Sequence, residues 1–274
     1  RDCPTCALVA PVLADLEKRE GLTVYCQDDP TFPEDVSEVA DDTALDVSYR
    51  LGIEIVPTLI RLRDGDEVAR TFGWDRAAWQ EITGHGDLGA ELPEARPGCG
   101  ALNQDPERLR ALKVRHGDTG MVSRPIDPGS EEDLIEACYD RDWTDGLPVV
   151  PPTETRVLAM LEGTARRPGE VLGEMPPGLG ACTVEKVAVN AVMAGCRPEY
   201  LPVVLTAIEA ILEDDFALHG VLATTRYVSP VLVVNGPIAG RIGMNAGGNA
   251  LGQGNRANAT IGRAVQLAVR NIGG

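Results

Sequence analysis

Two cysteines two residues apart stand near the start of the chain, in Cys3-Pro4-Thr5-Cys6. Thiols at this spacing can close a small-ring disulfide and be reduced again when the first sits at a helix N-terminus. There the unpaired backbone N–H groups and the helix dipole favour a thiolate, which makes Cys3 the attacking sulfur. Cys6 lies one turn further in and reads as the more buried, resolving thiol. Structural zinc sites also use such a pair, but they need a second ligand pair. No later Cys or His forms another C-x-x-C or an H-x-x-x-H. The opposing segment is Gly52-Ile53-Glu54-Ile55-Val56-Pro57-Thr58-Leu59-Ile60. It is an apolar strand carrying Val-Pro-Thr, with a turn at Arg63–Asp66 and a return strand from Glu67, which together predict a β-hairpin.

The second half of the chain offers three further places for chemistry. Cys182 follows Gly178-Leu179-Gly180-Ala181 and leads a helical pattern, so it reads as a helix N-cap with Glu185 at the third position. A thiol there has a lowered pKa beside N–H groups free for an anion; the alternative is a small residue tolerated at a cap. Cys196, in Gly195-Cys196-Arg197-Pro198, is a second candidate, with core filling as its alternative. The third place runs from Gly243 to Thr260, where Asn245, Asn249, Asn255 and Asn258 share a glycine-rich loop with Arg256. Amide side chains, backbone N–H groups and one guanidinium suit a carboxylate, phosphate or polar substrate; the alternative is a plain surface loop. The loop contains no Gly-Lys-Ser/Thr, and its glycine spacing is not that of a dinucleotide fingerprint. His219 is the one imidazole of this half and a candidate base, since imidazoles titrate near neutral pH. Its alternative is an ordinary hydrogen-bonded histidine. Thr224, Thr225 and Arg226 follow it, and the turn-rich segment of Trp143 and Asp145 is read as closing over the same cleft.

These residues need elements to hold them. A helix is expected over 7–20, ended by Gly21 and kinked at Pro11. A strand Leu22–Cys26 is expected next, then a long acidic insertion and a helical stretch to about Arg50. Asp75 caps a helix to Ile82. Residues 85–130 read as a linker with one short helix, Asp105–His116, and Cys99 reads as an ordinary loop cysteine, a mobile relay thiol being the alternative. The second domain, residues 131–274, opens with Ser130–Asp133 capping the helix Leu134–Asp140. A strand fragment at 147–150 comes next, then helices Glu154–Glu162 (capped by Thr153), Thr183–Ala194 and Glu199 to about Leu212. Val221–Thr225 and Val231–Asn235 read as two buried strands, and Asn255–Asn271 as the last helix.

The dithiol, Pro11 and Val56-Pro57-Thr58 together resemble the thioredoxin superfamily over about residues 1–84. The resemblance implies that Pro57 is cis, faces the dithiol and positions the substrate backbone, and that Pro11 kinks the active-site helix. It also implies a buried strand before the dithiol that this sequence does not contain, hence a truncated thioredoxin-like domain. The second domain is similar to the C-terminal part of bacterial thioredoxin-fused proteins of unassigned function. The phrases that carry this are Asp145-Gly146-Leu147-Pro148-Val149-Val150-Pro151-Pro152 and Asn190–Cys196. That similarity brings no chemistry, and implies residues beyond Gly274. The expected class is α/β, the thioredoxin-like part being followed by a separate α/β or α+β domain.

Composition narrows the function. A net charge of −17 argues against nucleic acid, because phosphate binding needs a basic face. No apolar run is long enough for a membrane span. Seven cysteines, an odd count without a framework spacing, suit a reducing cytoplasm. The expected function is a thiol-disulfide oxidoreductase. Its redox-active dithiol passes reducing equivalents from a thiol reductant to a cysteine-containing domain that holds a small polar or anionic substrate. Two alternatives are thiol-based handling of a soft metal such as mercury or copper, and a non-catalytic partner-binding module. No other cofactor is expected, and a neighbouring subunit of a homo-oligomer is one way to complete the Gly/Asn loop.

Overall fold

The computed structural model describes residues 3–127, 129 and 133–274. They divide into two compact units, one ending at His116 and the other starting at Gly117; among the described residues the first mixes helices with four two-stranded sheets and the second with one.

The first unit begins with α1 (Pro4–Arg19). Pro4 fits its first turn, where an N–H is not needed, and the helix runs on through Pro11. Val9, Val12 and Leu16 recur at helical spacing and point inward. The strands β1 (Val24–Cys26) and β2 (Val39–Asp41) pair in parallel. A short α2 (Asp46–Arg50) follows. The expected hairpin is present: β3 (Ile55–Val56) leads across Pro57 into β4 (Thr58–Arg63), which pairs antiparallel with β5 (Asp66–Phe72). Asp64 and Gly65, both at positive φ, make its turn. Then come β6 (Trp74–Asp75) and α3 (Arg76–Thr83), with Asp75 Oδ1 accepting from the Ala78 N–H as a cap. Val9, Val12, Leu16, Leu59, Trp74, Trp79 and Leu88 form one core.

Residues 85–116, read from the sequence as a linker, pack into this unit. β7 (Ala95–Arg96) pairs with β6, and β8 (Cys99–Gly100) pairs with β3. The Trp74 indole N–H donates to Pro93 O at 2.7 Å. The unit closes with α4 (Pro106–His116), capped by Asp105, whose carboxylate accepts from the Glu107 and Arg108 N–H groups.

In the second unit Asp133 caps α5 (Leu134–Asp140); the rest of the expected capping segment, residues 130–132, lies outside the described residues. Next is α6 (Glu154–Leu161). Thr153 stands at its N-cap without a side-chain bond to the helix, its hydroxyl meeting that of Thr155 instead. A hairpin of β9 (Val171–Met175) and β10 (Gly180–Thr183) precedes α7 (Val184–Ala194). Then follow α8 (Leu201–Leu212), α9 (Leu218–Ala223), α10 (Pro237–Arg241) and α11 (Arg256–Gly273). The core is the packing of α7 on α11 and α8. Ala188 and Ala191 on α7 and Ala264 and Ala268 on α11 let the helices close up, with Val187, Ile208, Ile261 and Leu267 filling around them.

Three expected elements differ. Val221–Thr225 is not a strand: Leu218–Ala223 is helical, and 231–235 forms no ladder. Val231 and Val233 are exposed, so β-branched composition alone misled. Residues 147–150 make no strand pairing; Val149 is buried and Val150 N–H donates to Met193 O.

Candidate functional site

Cys3 is the N-cap of α1, and the Cys6 N–H donates to its Sγ at 3.4 Å. Facing it are β3 and the cis peptide Val56–Pro57, with Val56 O 3.8 Å from the same sulfur. A third thiol completes the cluster. Cys99 lies opposite Val56 in the β3–β8 ladder, and its Sγ is 2.9 Å from Cys3 Sγ, within hydrogen-bond distance. The sequence reading of Cys99 as an ordinary loop cysteine is therefore corrected: the residue belongs to the dithiol site.

Backbone geometry brings it there. A Cβ on Gly98 would stand 2.6 Å from Val56 O, and one on Gly73 would stand 2.8 Å from Gly98 N. Only glycines allow the segment after Arg96 to lie this close to β3. The Thr5 hydroxyl donates to Pro97 O at 2.6 Å, and the Ala101 N–H donates to Glu54 O. One clamp thus lies on each side of Cys99. Beyond it, Asn103 Nδ2 donates to Ile53 O and the Leu102 N–H donates to Gln27 Oε1.

The three thiols differ in acidity. Burial opposes ionisation of Cys3, but hydrogen bonds from Cys99 and from the Cys6 and Thr5 region outweigh it and hold its pKa below the ordinary cysteine value. Burial pushes Cys6 far above that value, helped by its hydrogen bond to Cys3 and by the Cys3 negative charge. Cys99 is raised by the hydrogen bond to Cys3, then by burial and by that same charge. One sulfur is prepared to carry charge and its two neighbours hold protons toward it. Cys26 is buried, with Sγ 3.4 Å from Asp28 Oδ1.

The other expected site residues lie in the second unit. Cys182 is not a cap: it sits inside β10, fully buried, and the neighbouring Thr183 hydroxyl accepts from the Lys186 N–H instead. Burial raises the Cys182 thiol to about 11. Cys196 is buried beside α11, its Sγ 3.4 Å from Thr260 O, and burial raises it to about 11 as well. Cys196 and Arg256 line one small cavity of about 190 Å³ together with Arg156; Cys182 does not reach it.

The Gly/Asn loop is built by its own amides. Asn258 Oδ1 accepts from the Asn245 N–H, and its Nδ2 donates to Asn245 O and Ala250 O. Asn255 caps α11 through the Asn258 N–H and donates to Gly243 O. Asn249 donates to Gln253 O, Asn245 donates to Gly248 O, and Arg256 Nε donates to Gly195 O. The density of asparagine here is a folding device. His219 is on α9, not near a strand start. Asp145 holds Arg263 of α11 by two hydrogen bonds of 2.7 and 2.8 Å, so the Trp143–Asp145 turn is fastened to that helix.

Glu185, expected only as the third-position partner of a Cys182 cap, has a different role. It is buried on α7, and its carboxylate accepts from the Val122 and Ser123 N–H groups at 2.7 and 3.0 Å. It borders a larger, mainly apolar cavity of about 400 Å³ that also touches Trp143, Lys186 and Asn190. A carboxylate inside an otherwise apolar helix face was the available signal. Among the described residues no three His, Cys, Asp or Glu side chains are grouped to hold a metal ion.

Compared with protein families, curated proteins and solved structures, the chain matches none. Nor, among the described residues, is any helix long and apolar enough to cross a membrane.

Proposed function

We propose that the first unit performs thiol–disulfide exchange at Cys3, in the manner of the thioredoxin-like proteins it resembles. The observation that carries this reading is a cysteine at a helix N-cap whose ionised form is favoured, beside a second thiol one turn on and a cis-proline strand. The Cys3 thiolate attacks a disulfide and displaces one thiolate, leaving a mixed disulfide; a second thiol of the protein then attacks Cys3 and releases the other half. A small thiol reductant restores the dithiol. A reducing compartment, the cytoplasm, suits an odd count of seven cysteines without a framework spacing.

The test is reduction of a low-molecular-weight disulfide by the whole protein with a thiol reductant present. Cys3→Ser is expected to fall to the rate of the buffer control, with Cys6→Ser intermediate. Equal rates for wild type and Cys3→Ser would end the proposal. The second unit is read as the part that binds a small polar or anionic molecule, and the support is the cavity shared by Cys196, Arg156 and Arg256. Inorganic phosphate or succinate is expected to slow alkylation of Cys196, and Arg256→Ala to remove that protection.

A further inference from the structure

Two thiols border Cys3: Cys6, one turn along α1, and Cys99 on β8. We propose that Cys99 is a catalytic thiol that resolves the mixed disulfide on Cys3, in competition with Cys6. This inference rests on the exchange reading of the first unit and adds a residue far from the dithiol in sequence.

Three observations carry it. The two sulfurs are 2.9 Å apart, and 96 positions of chain separate them, so the encounter is made by the fold and not by proximity in sequence. The segment bearing Cys99 is laid along β3 in a two-residue antiparallel ladder with Cys99 opposite Val56, the residue before Pro57. Finally the placement is over-determined. Gly73 and Gly98 permit the close approach, Thr5 of α1 ties Pro97 to the turn that carries Cys3, and Ala101 is tied to Glu54. Such a segment presents its thiol to Cys3 in every molecule, as an intramolecular reactant.

The chemistry balances with the groups named. The Cys3 thiolate attacks one sulfur of a substrate disulfide, forming a Cys3–substrate bond and releasing one thiolate. Cys99 gives up its proton to that leaving thiolate or to solvent, attacks Cys3 Sγ, and expels the second substrate thiolate. The substrate disulfide has gained two electrons, and Cys3 and Cys99 have lost two in forming their own disulfide. Cys6 can then attack Cys3 to free Cys99, or a small-molecule dithiol can reduce the pair directly.

The experiment uses the full chain and bis(2-hydroxyethyl) disulfide as probe, with intact-mass and peptide mass spectrometry after acid quenching. In Cys6→Ser the 2-mercaptoethanol adduct on Cys3 is expected to be short-lived and to be replaced by a Cys3–Cys99 linkage. In Cys6→Ser/Cys99→Ser it is expected to persist at least about tenfold longer, since only solution thiols remain to remove it. Cleavage after Lys and Arg separates the linkages, because Cys3 and Cys6 share the peptide ending at Lys18 and Cys99 lies beyond Arg76. Equal adduct lifetimes in the two variants would overturn the role of Cys99 and leave the exchange reading intact. No adduct on Cys3 in any variant would overturn the exchange reading itself. Should the double variant fold poorly, Cys6→Ser alone decides: with no Cys6 thiol to free Cys99, absence of any Cys3–Cys99 linked peptide after substoichiometric oxidation overturns the role of Cys99.

Discussion

At Cys3 a charge is disfavoured by partial burial and favoured by the hydrogen bonds around it, and the second effect wins. Removing the Cys99 donor reverses part of that balance. Cys99→Ser leaves a hydroxyl that bonds a thiolate with different geometry, and Cys99→Ala leaves no donor. Both are expected to raise the Cys3 pKa, Ala more. The pH dependence of iodoacetamide labelling at Cys3 checks this, its midpoint moving to higher pH. Because the folded value is depressed, ionised Cys3 adds stability above the value of an unfolded cysteine. That contribution disappears as pH falls through the folded value. Cys182 and Cys196 have the opposite sign. Both are held neutral to about 11, so their contribution is full below an ordinary thiol's pKa of about 8.5 and is lost as pH rises toward 11. Each is expected to cost the second unit about 3 kcal/mol across that range. Cys196→Ala should flatten the alkaline limb of a urea-unfolding profile. Residue chemistry was partly legible in the sequence. Cys3 and Cys6 declare themselves by spacing. Cys182 does not, because the hydroxyl of Thr183 competes for the same cap and wins it.

Among the elements, α11 and the turn it holds show how a helix is fixed by side chains from afar. The Arg263–Asp145 pair is mostly shielded, with side-chain exposures of 22% and 16%. Asp145→Asn is therefore expected to destabilise the second unit by about 2 kcal/mol at neutral pH, the range for hydrogen bonds to charged groups. The Arg263 guanidinium holds the Asp145 carboxyl below its ordinary value. That stability is present above the unfolded carboxylate pKa of about 3.9 and is lost as pH falls through the folded value, so the variant and the parent should converge in acid. Urea titrations at pH 7 and near pH 2.5 would show it. Gly98→Ala tests the close approach of the Cys99 segment to β3, since the added methyl meets that strand. The Cys3–Cys99 linkage should be lost while oxidised Cys3–Cys6 still forms, read by peptide mapping. Elements with local signals were readable: the Asp75 and Asp105 caps, the Asp64-Gly65 turn, and Gly195 ending α7 in the left-handed region. Those that depend on distant partners were not. The β3–β8 pairing joins residues more than forty positions apart, and nothing near Cys99 announces it. The β-branched residues at 231–234 satisfy every local preference for a strand and find no neighbouring strand.

Over the whole chain, 42 acidic against 25 basic side chains give a surface that repels itself at neutral pH. Against it stands an exposed apolar stretch containing Tyr227, Val228, Val231 and Val233. Charge holds such surfaces apart, so self-association is expected to rise steeply as pH approaches the isoelectric point near 4.6 and to fall again below it. Light scattering against pH checks this, and Val231→Lys with Val233→Lys should blunt the maximum if the apolar stretch is the contact.

The separation of 96 positions between Cys3 and Cys99 has a consequence for chain entropy. A bond between Cys3 and Cys6 ties a loop of four residues and restrains the unfolded chain by about 2 kcal/mol in the loop-closure account. A bond between Cys3 and Cys99 ties nearly the entire first unit into one ring, for which the same account gives about 5 kcal/mol. Two oxidised forms with the same electron count would then differ by about 3 kcal/mol in resistance to unfolding. Which partner Cys3 has taken would be written in the melting temperature of the first unit.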